Sequence, residues 1–239
     1  MIPRIQIRNA AGAVFLLTIT CSMAQLGGCA ITNLAGGMAQ NAEYQKIIKV
    51  PAEYRGLTGK QTAVLVDVDQ SVMYTHPEAP NRIATGIAYA LQKDAGAHVI
   101  HPAETMTWQA RTPGWSLMAY GDMAEVLGAE RIVIVEVYEY RLNPPGNRYE
   151  WDGVCAATVR VVEADPDTID PNTPKADYDV IERFPGQTGI VREAATASDV
   201  EAGLLLSFIR GTAWLFYDHE EPKYPDKYRP ELDSRKKNK

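Results

Sequence analysis

Four consecutive β-branched aliphatic residues, Ile132-Val133-Ile134-Val135, constrain this chain more than any other stretch. A strand with one wet face alternates apolar and polar side chains, whereas an unbroken apolar run is buried on both faces. The run therefore demands a strand inside a sheet that is covered on each side. The strand continues through Tyr140.

The neighbouring segments supply the layers. Residues 62–69 read as a strand, with Val64, Val66 and Val68 alternating on one face. Residues 81–95 read as a helix, with Asn81 as its cap, Ile83, Ile87 and Leu91 at four-residue spacing and Gly96 as its stop. Residues 98–101 make a short strand. Residues 102–114 read as irregular, and a second helix is expected over 115–127, stopped by Gly128. Asn143-Pro144-Pro145-Gly146 is a turn signal, followed by a strand over 149–163. Its residues Trp151, Cys155, Ala157, Val159 and Val161 share one face. Residues 164–177 are a surface loop rich in Asp and Pro, and 178–184 form an antiparallel strand. Ser198-Asp199-Val200-Glu201 fits a capping box and opens a third helix running to about residue 217. The order implies an α/β fold in a single domain. Its mixed sheet is parallel in the first half and antiparallel in the second, with helices packed on it.

With those elements placed, Leu127-Gly128-Ala129-Glu130-Arg131-Ile132-Val133-Ile134-Val135-Glu136-Val137 resembles the hallmark of one envelope group. That group comprises the curli-secretion lipoprotein, the TolB amino-terminal domain and lipoproteins that activate peptidoglycan synthases. The resemblance covers about residues 60–217 and implies a shared fold more than a shared activity. Neither 102–114 nor 164–177 contains the long amphipathic hairpins that a transmembrane barrel needs, so pore formation is not expected. No TolB-like propeller is expected either.

The amino terminus carries a second signature. Arg4 and Arg8 precede an apolar run that begins at Ala10, and small residues close it at Leu26-Gly27-Gly28-Cys29. This is the anatomy of a secretory signal. It resembles the lipobox of bacterial lipoproteins, which implies acylation of Cys29 after removal of residues 1–28. The run holds Thr18, Thr20, Ser22 and Gln25 and falls short of the ~20 apolar residues of a membrane span. Ala30 in place of aspartate leans, by the same resemblance, toward the outer membrane, with the protein facing the periplasm. The division expected is signal peptide 1–28, flexible tether 29–60, α/β domain 61–217 and a charged, disordered tail 218–239.

Formal net charge is −6, and loss of Arg4 and Arg8 with the leader makes the mature chain more acidic. Such a chain has no electrostatic reason to bind nucleic acid. With Cys21 in the leader and Cys29 acylated, Cys155 has no disulfide partner and is expected in the core.

Reactive chemistry has one foothold. Asp67-Val68-Asp69-Gln70-Ser71-Val72 follows an apolar strand and resembles the first motif of haloacid-dehalogenase-type phosphatases. That would make Asp67 the nucleophile and Asp69 the acid/base, with Gly121-Asp122 imitating the later magnesium-holding motif. Gln70 departs from the small residue usual there, and no strand leads into Gly121-Asp122. His98 and His101 would face opposite sides of a strand, so no zinc ligand set forms. Ser198 and Ser207 lack a nucleophile-elbow context. No cofactor is expected. The leading expectation is a non-catalytic, lipid-anchored envelope protein that binds a protein partner in envelope assembly or maintenance. Self-association is compatible with the sequence, and a secreted phosphatase is the alternative.

The hairpin tip is the candidate partner surface. A tight turn at 143–146 sets Leu142 opposite Asn147, Tyr140 opposite Tyr149, Tyr138 opposite Trp151 and Ile134 opposite Cys155. Tyr138, Tyr140, Tyr149 and Trp151 would then share one face, either closing the core or forming an exposed aromatic patch. The opposite face would pair Glu139 with Glu150 and Arg141 with Arg148.

Overall fold

The structure, a computed structural model, describes residues 43–186 and 189–228. Its larger unit is Lys49–Glu220; the described residues 43–48 and 221–228 belong to a smaller one. In chain order the strands are β1 (Ile47–Val50), β2 (Gln61–Val68), β3 (His98–Val99), β4 (Arg131–Arg141), β5 (Glu150–Trp151), β6 (Gly153–Glu163), β7 (Ala176–Phe184), β8 (Ile190–Val191) and β9 (His219–Pro222). The helices are α1 (Gln70–Thr75), α2 (Ala79–Asp94), α3 (Pro102–Arg111), α4 (Tyr120–Leu127) and α5 (Ala197–Trp214).

The main sheet has the order β3-β2-β4-β6-β7. β2 runs parallel to β3 and β4, and β6 and β7 continue antiparallel. The mixed sheet expected from the element order is thus present. β4 lies at its centre and is buried on both faces, which is why its sequence does not alternate. Val133, Val135 and Val137 pack against Ile83, Ile87 and Leu91 of α2 and Leu204, Leu205 and Phe208 of α5. Ile132 and Ile134 pack on the other face with Met123 and Ala124 of α4, beside Trp108 and Trp115. Burying each such side chain is worth about 1.5–3 kcal/mol, so this strand ties both helical layers to one sheet.

Gly128 ends α4 as expected. Its φ is +63°, its N–H reaches the Ala124 and Glu125 carbonyls, and the Ala129 N–H returns to Ala124 at 2.9 Å. This left-handed closure delivers the chain straight into β4.

Several expectations are corrected. Residues 102–114 are not irregular: Pro102 starts α3, where its missing N–H costs nothing, and His101 caps it by accepting from the Ala103 N–H at 3.2 Å. The helix expected over 115–127 is a 3-10 turn at Trp115–Leu117 and then α4. Asn81 lies inside α2, which begins at Ala79 with Pro80 in its first turn. The capping box of α5 is Thr196 with Asp199: Thr196 Oγ1 accepts the Asp199 N–H, and the Asp199 carboxylate accepts the Thr196 N–H. An aspartate does the work read onto Glu201.

The outer segments also differ. Tyr54 and Leu57 are buried in the core, so the stretch 29–60 is not tether throughout. Residues 219–222 form β9, paired with β1, and a 3-10 turn follows at Pro225–Lys227, where a disordered tail was expected. Within the smaller unit, Lys223 pairs with Glu43 at 2.6 Å and Tyr44 meets Tyr224 edge-on at 5.7 Å.

The hairpin register is the largest correction. β4 and β6 pair Tyr140 with Cys155 and Ile134 with Arg160, with a bulge between Val137 and Glu139. A tight turn does form, with the Asn147 N–H on the Pro144 carbonyl at 3.1 Å. It sits inside a wider loop, closed by the Asp152 N–H on the Leu142 carbonyl at 3.1 Å and by Arg141 donating to the carbonyls of Asn143 and Asp152. β5 pairs with β8, not with β4, so Tyr149 and Trp151 never face Tyr140 and Tyr138.

Candidate functional site

Leu26, Gly27, Gly28 and Cys29 lie outside the described residues. Among the described residues, no helix is long and apolar enough to cross a membrane.

The two acids singled out for chemistry are engaged locally. The Asp67 carboxylate accepts the Val68 N–H at 3.1 Å. Burial pushes it above its usual range; the Val68 N–H pulls it back and the nearby Glu136 carboxylate adds to the rise. Asp69 caps α1, accepting the Ser71 N–H at 2.8 Å, and that bond holds its carboxyl low. Asp122 sits in the first turn of α4. No group of three or more His, Cys, Asp or Glu side chains among the described residues is arranged to hold a metal ion. Cys155 is fully buried and its thiol is pushed up by burial, then by Glu182 and Glu139.

The four hairpin aromatics separate. Tyr140 and Trp151 are buried, while Tyr138 is 52% exposed and Tyr149 83% exposed. Trp151 donates its indole N–H to the carbonyls of Arg192 and Ala195, and Arg192 lies over its ring at 4.3 Å. Tyr140 meets His76 edge-on at 4.7 Å, and its hydroxyl finds no hydrogen-bond partner among the described residues. The shared aromatic patch does not form, because β5 leaves the main sheet.

The structure instead places polar chemistry on the open half of one sheet face. Beyond Ile134 the apolar core on the α4 side stops. Asp67, Glu136, Thr158 and Asp179 then align across four strands. Arg160 bridges Glu136 and Asp177, the latter at 3.1 Å, and Thr158 donates to Asp179 at 3.2 Å. One step further, the bulge sets Tyr138 and Glu139 opposite the single Ala156, whose other neighbour, Ile181, is 60% exposed. Asp152 receives both Arg141 and Arg183. Alternation of Asp177, Asp179, Ile181 and Arg183 was the sequence signal for this surface.

The opposite end of the sheet holds an ion network that was not anticipated. Arg131 is buried at the start of β4; its Nε donates to the Tyr54 hydroxyl and the Gly56 carbonyl, each at 3.1 Å, and it pairs with Asp165. Tyr54 donates to Glu163 at 2.7 Å, and Lys60 reaches both Asp165 and Glu130. Burial raises Tyr54, and the bond to Glu163 adds to it. Burial alone would raise Asp165, but Lys60 and Arg131 outweigh it and hold its carboxyl low. This network floors a cleft of ≈ 650 Å³ that the 166–175 loop walls. Its charges satisfy one another, which makes it a clamp between the 54–60 segment, β4 and the end of β6. The Glu130-Arg131 pair at the mouth of an apolar run was the available signal.

No protein-family model matches the chain, and no curated protein matches it significantly. Solved structures do resemble it. The PelC dodecamer from Paraburkholderia phytofirmans is 15% identical over 72% of this chain and 98% of that chain, with a TM-score of 0.40. Lipoprotein GNA1162 from Neisseria meningitidis is 14% identical over 64% of this chain and 96% of that chain, TM-score 0.41. The LpoB C-terminal domain from Salmonella enterica is 12% identical over 53% of this chain and 85% of that chain, TM-score 0.34. At these values the likeness carries no functional argument.

Proposed function

We propose that this chain is a lipid-anchored protein of the bacterial envelope, cleaved before Cys29, held on the outer membrane facing the periplasm, and acting by binding a protein partner. The observation that carries the reading is Leu26-Gly27-Gly28-Cys29, placed directly after a basic start and a short apolar run. Lipoprotein acylation supplies the two or more chains that stable anchoring takes. A binding rather than catalytic role is supported by the local duties of Asp67 and Asp69, one tied to its own strand end and one capping a helix. Of the aromatics considered for partner contact, Tyr138 and Tyr149 are the exposed ones and carry that role in this reading. The test is a Cys29→Ala variant expressed in a bacterial host. It leaves the membrane fraction or keeps its leader; unchanged size with unchanged, detergent-only extraction contradicts the reading.

A further inference from the structure

β7 is the outermost strand of the main sheet. β6 takes its inner edge in nine consecutive pairs, Gly153 with Phe184 through Val161 with Ala176, without a register shift. No strand pairs with its outer edge among the described residues. Nine extended residues present a row of backbone donors and acceptors about 30 Å long, at about 3.3 Å per residue. Edges that stay single are typically short, bulged, broken by proline or guarded by charged side chains. Ala176–Phe184 is not short, bulged or interrupted by proline, and its open-face charges are of both signs.

The side chains on this edge are self-complementary. Tyr178, Val180 and Phe184 turn toward the core under α2 and α5, which leaves Asp177, Asp179, Ile181 and Arg183 on the open face. Two antiparallel copies centred on Ile181 set Ile181 against Ile181 of the second copy. They also set Asp179 against Arg183, twice, by symmetry. On the covered face the same register sets Tyr178 against Phe184, twice. Glu182 does not obstruct it, because its carboxylate lies along α5 against Gly211. A centre on Val180 would oppose Ile181 to Asp179, and a centre on Asp179 would oppose like charges, which destabilises a pair. The Ile181 register alone among the three gives an apolar pair flanked by opposite charges.

We infer that β7 is a self-association edge: two copies of this chain pair antiparallel about Ile181 and join their five-stranded sheets into one of ten strands. The occupant is a second copy because the charge pattern complements itself. This inference stands independently of the anchor at Cys29.

Directly opposed residues of an antiparallel pair have Cα atoms about 4.5–5.5 Å apart, within the span a disulfide bridges. Full-length Ile181→Cys protein, in detergent extracts treated with copper phenanthroline, is therefore expected to form a disulfide dimer. The yield is at least tenfold above wild type, whose Cys155 is fully buried, and above Asp177→Cys. In this register the two residues 177 lie eight positions apart, more than about 20 Å. Adding Asp179→Arg cuts the Ile181→Cys yield at least tenfold, and further adding Arg183→Asp restores it. Should Ile181→Cys fail to fold, mixed Asp179→Cys and Arg183→Cys proteins carry the same test, giving the heterodimer alone. Overturning results are a yield no higher than wild type, equal cross-linking at residue 177, or indifference to the charge reversal.

Discussion

Removing the Arg131 guanidinium tests the ion network at the start of β4. The side chain is 7% exposed and serves the Tyr54 hydroxyl, the Gly56 and Glu130 carbonyls and the Asp165 carboxylate. Arg131→Met keeps most of the packing volume but leaves Asp165, whose side chain is 19% exposed, to Lys60 alone of the two cations, and takes the donors from the Gly56 and Glu130 carbonyls. Breaking one partner out of such a pair costs about 3–5 kcal/mol, a large share of the ~5–15 kcal/mol that holds a domain folded. At a urea slope of about 2 kcal/mol/M, the unfolding midpoint should fall by about 1.5–2.5 M. Arg131→Lys keeps the charge, but one ammonium cannot span four acceptors, so it should fall between the two. Adding Asp165→Asn to Arg131→Met removes the under-compensated charge and should recover part of the loss. A loss under about 1 kcal/mol, small against the 3–5 kcal/mol expected of a buried pair, or no recovery in the double variant, would refute the assignment of this cluster as a clamp.

Three further outcomes follow from the same packing and electrostatics. Ile134→Asp places a carboxylate between β4 and α4 and should abolish folding, seen as loss of the cooperative thermal transition. Tyr140→Phe deletes a buried hydroxyl that has no partner among the described residues, so the variant should melt at or slightly above wild type, by up to about 1 kcal/mol of added stability; clear destabilisation would contradict this. The Asp165 carboxyl is held below its ordinary value of 3.8 in the folded protein. Its stabilising contribution is therefore present above that value and is lost as pH falls through the lower folded-state pKa. Asp165→Asn should lose stability at neutral pH and show a flatter acid profile; an unchanged slope contradicts this.

The layered fold was legible because periodicity reports burial directly. Ile132 to Val135 announced a doubly buried strand, and Ile83, Ile87 and Leu91 announced the helix that covers it. Gly128 was legible for a different reason: a left-handed stop is chemistry that glycine alone performs cheaply. What failed was register. Asn143-Pro144-Pro145-Gly146 does turn, but Arg141 and Asn143 hold a wider loop through side-chain bonds to carbonyls that no turn rule counts. The bulge at Tyr138 then shifted every pair beyond it. Pro102 misled because proline both ends strands and begins helices, and only the His101 cap decides between them. The Arg131 network was hidden since its members span residues 54–165, and their meeting depends on the sheet order.

Attachment through Cys29 can be read from the intact mass of the protein extracted from bacterial membranes. The expected species is a chain beginning at Cys29 whose added mass corresponds to at least two acyl chains on that residue. A chain that retains residues 1–28, or one that begins elsewhere with an unmodified cysteine, would contradict it.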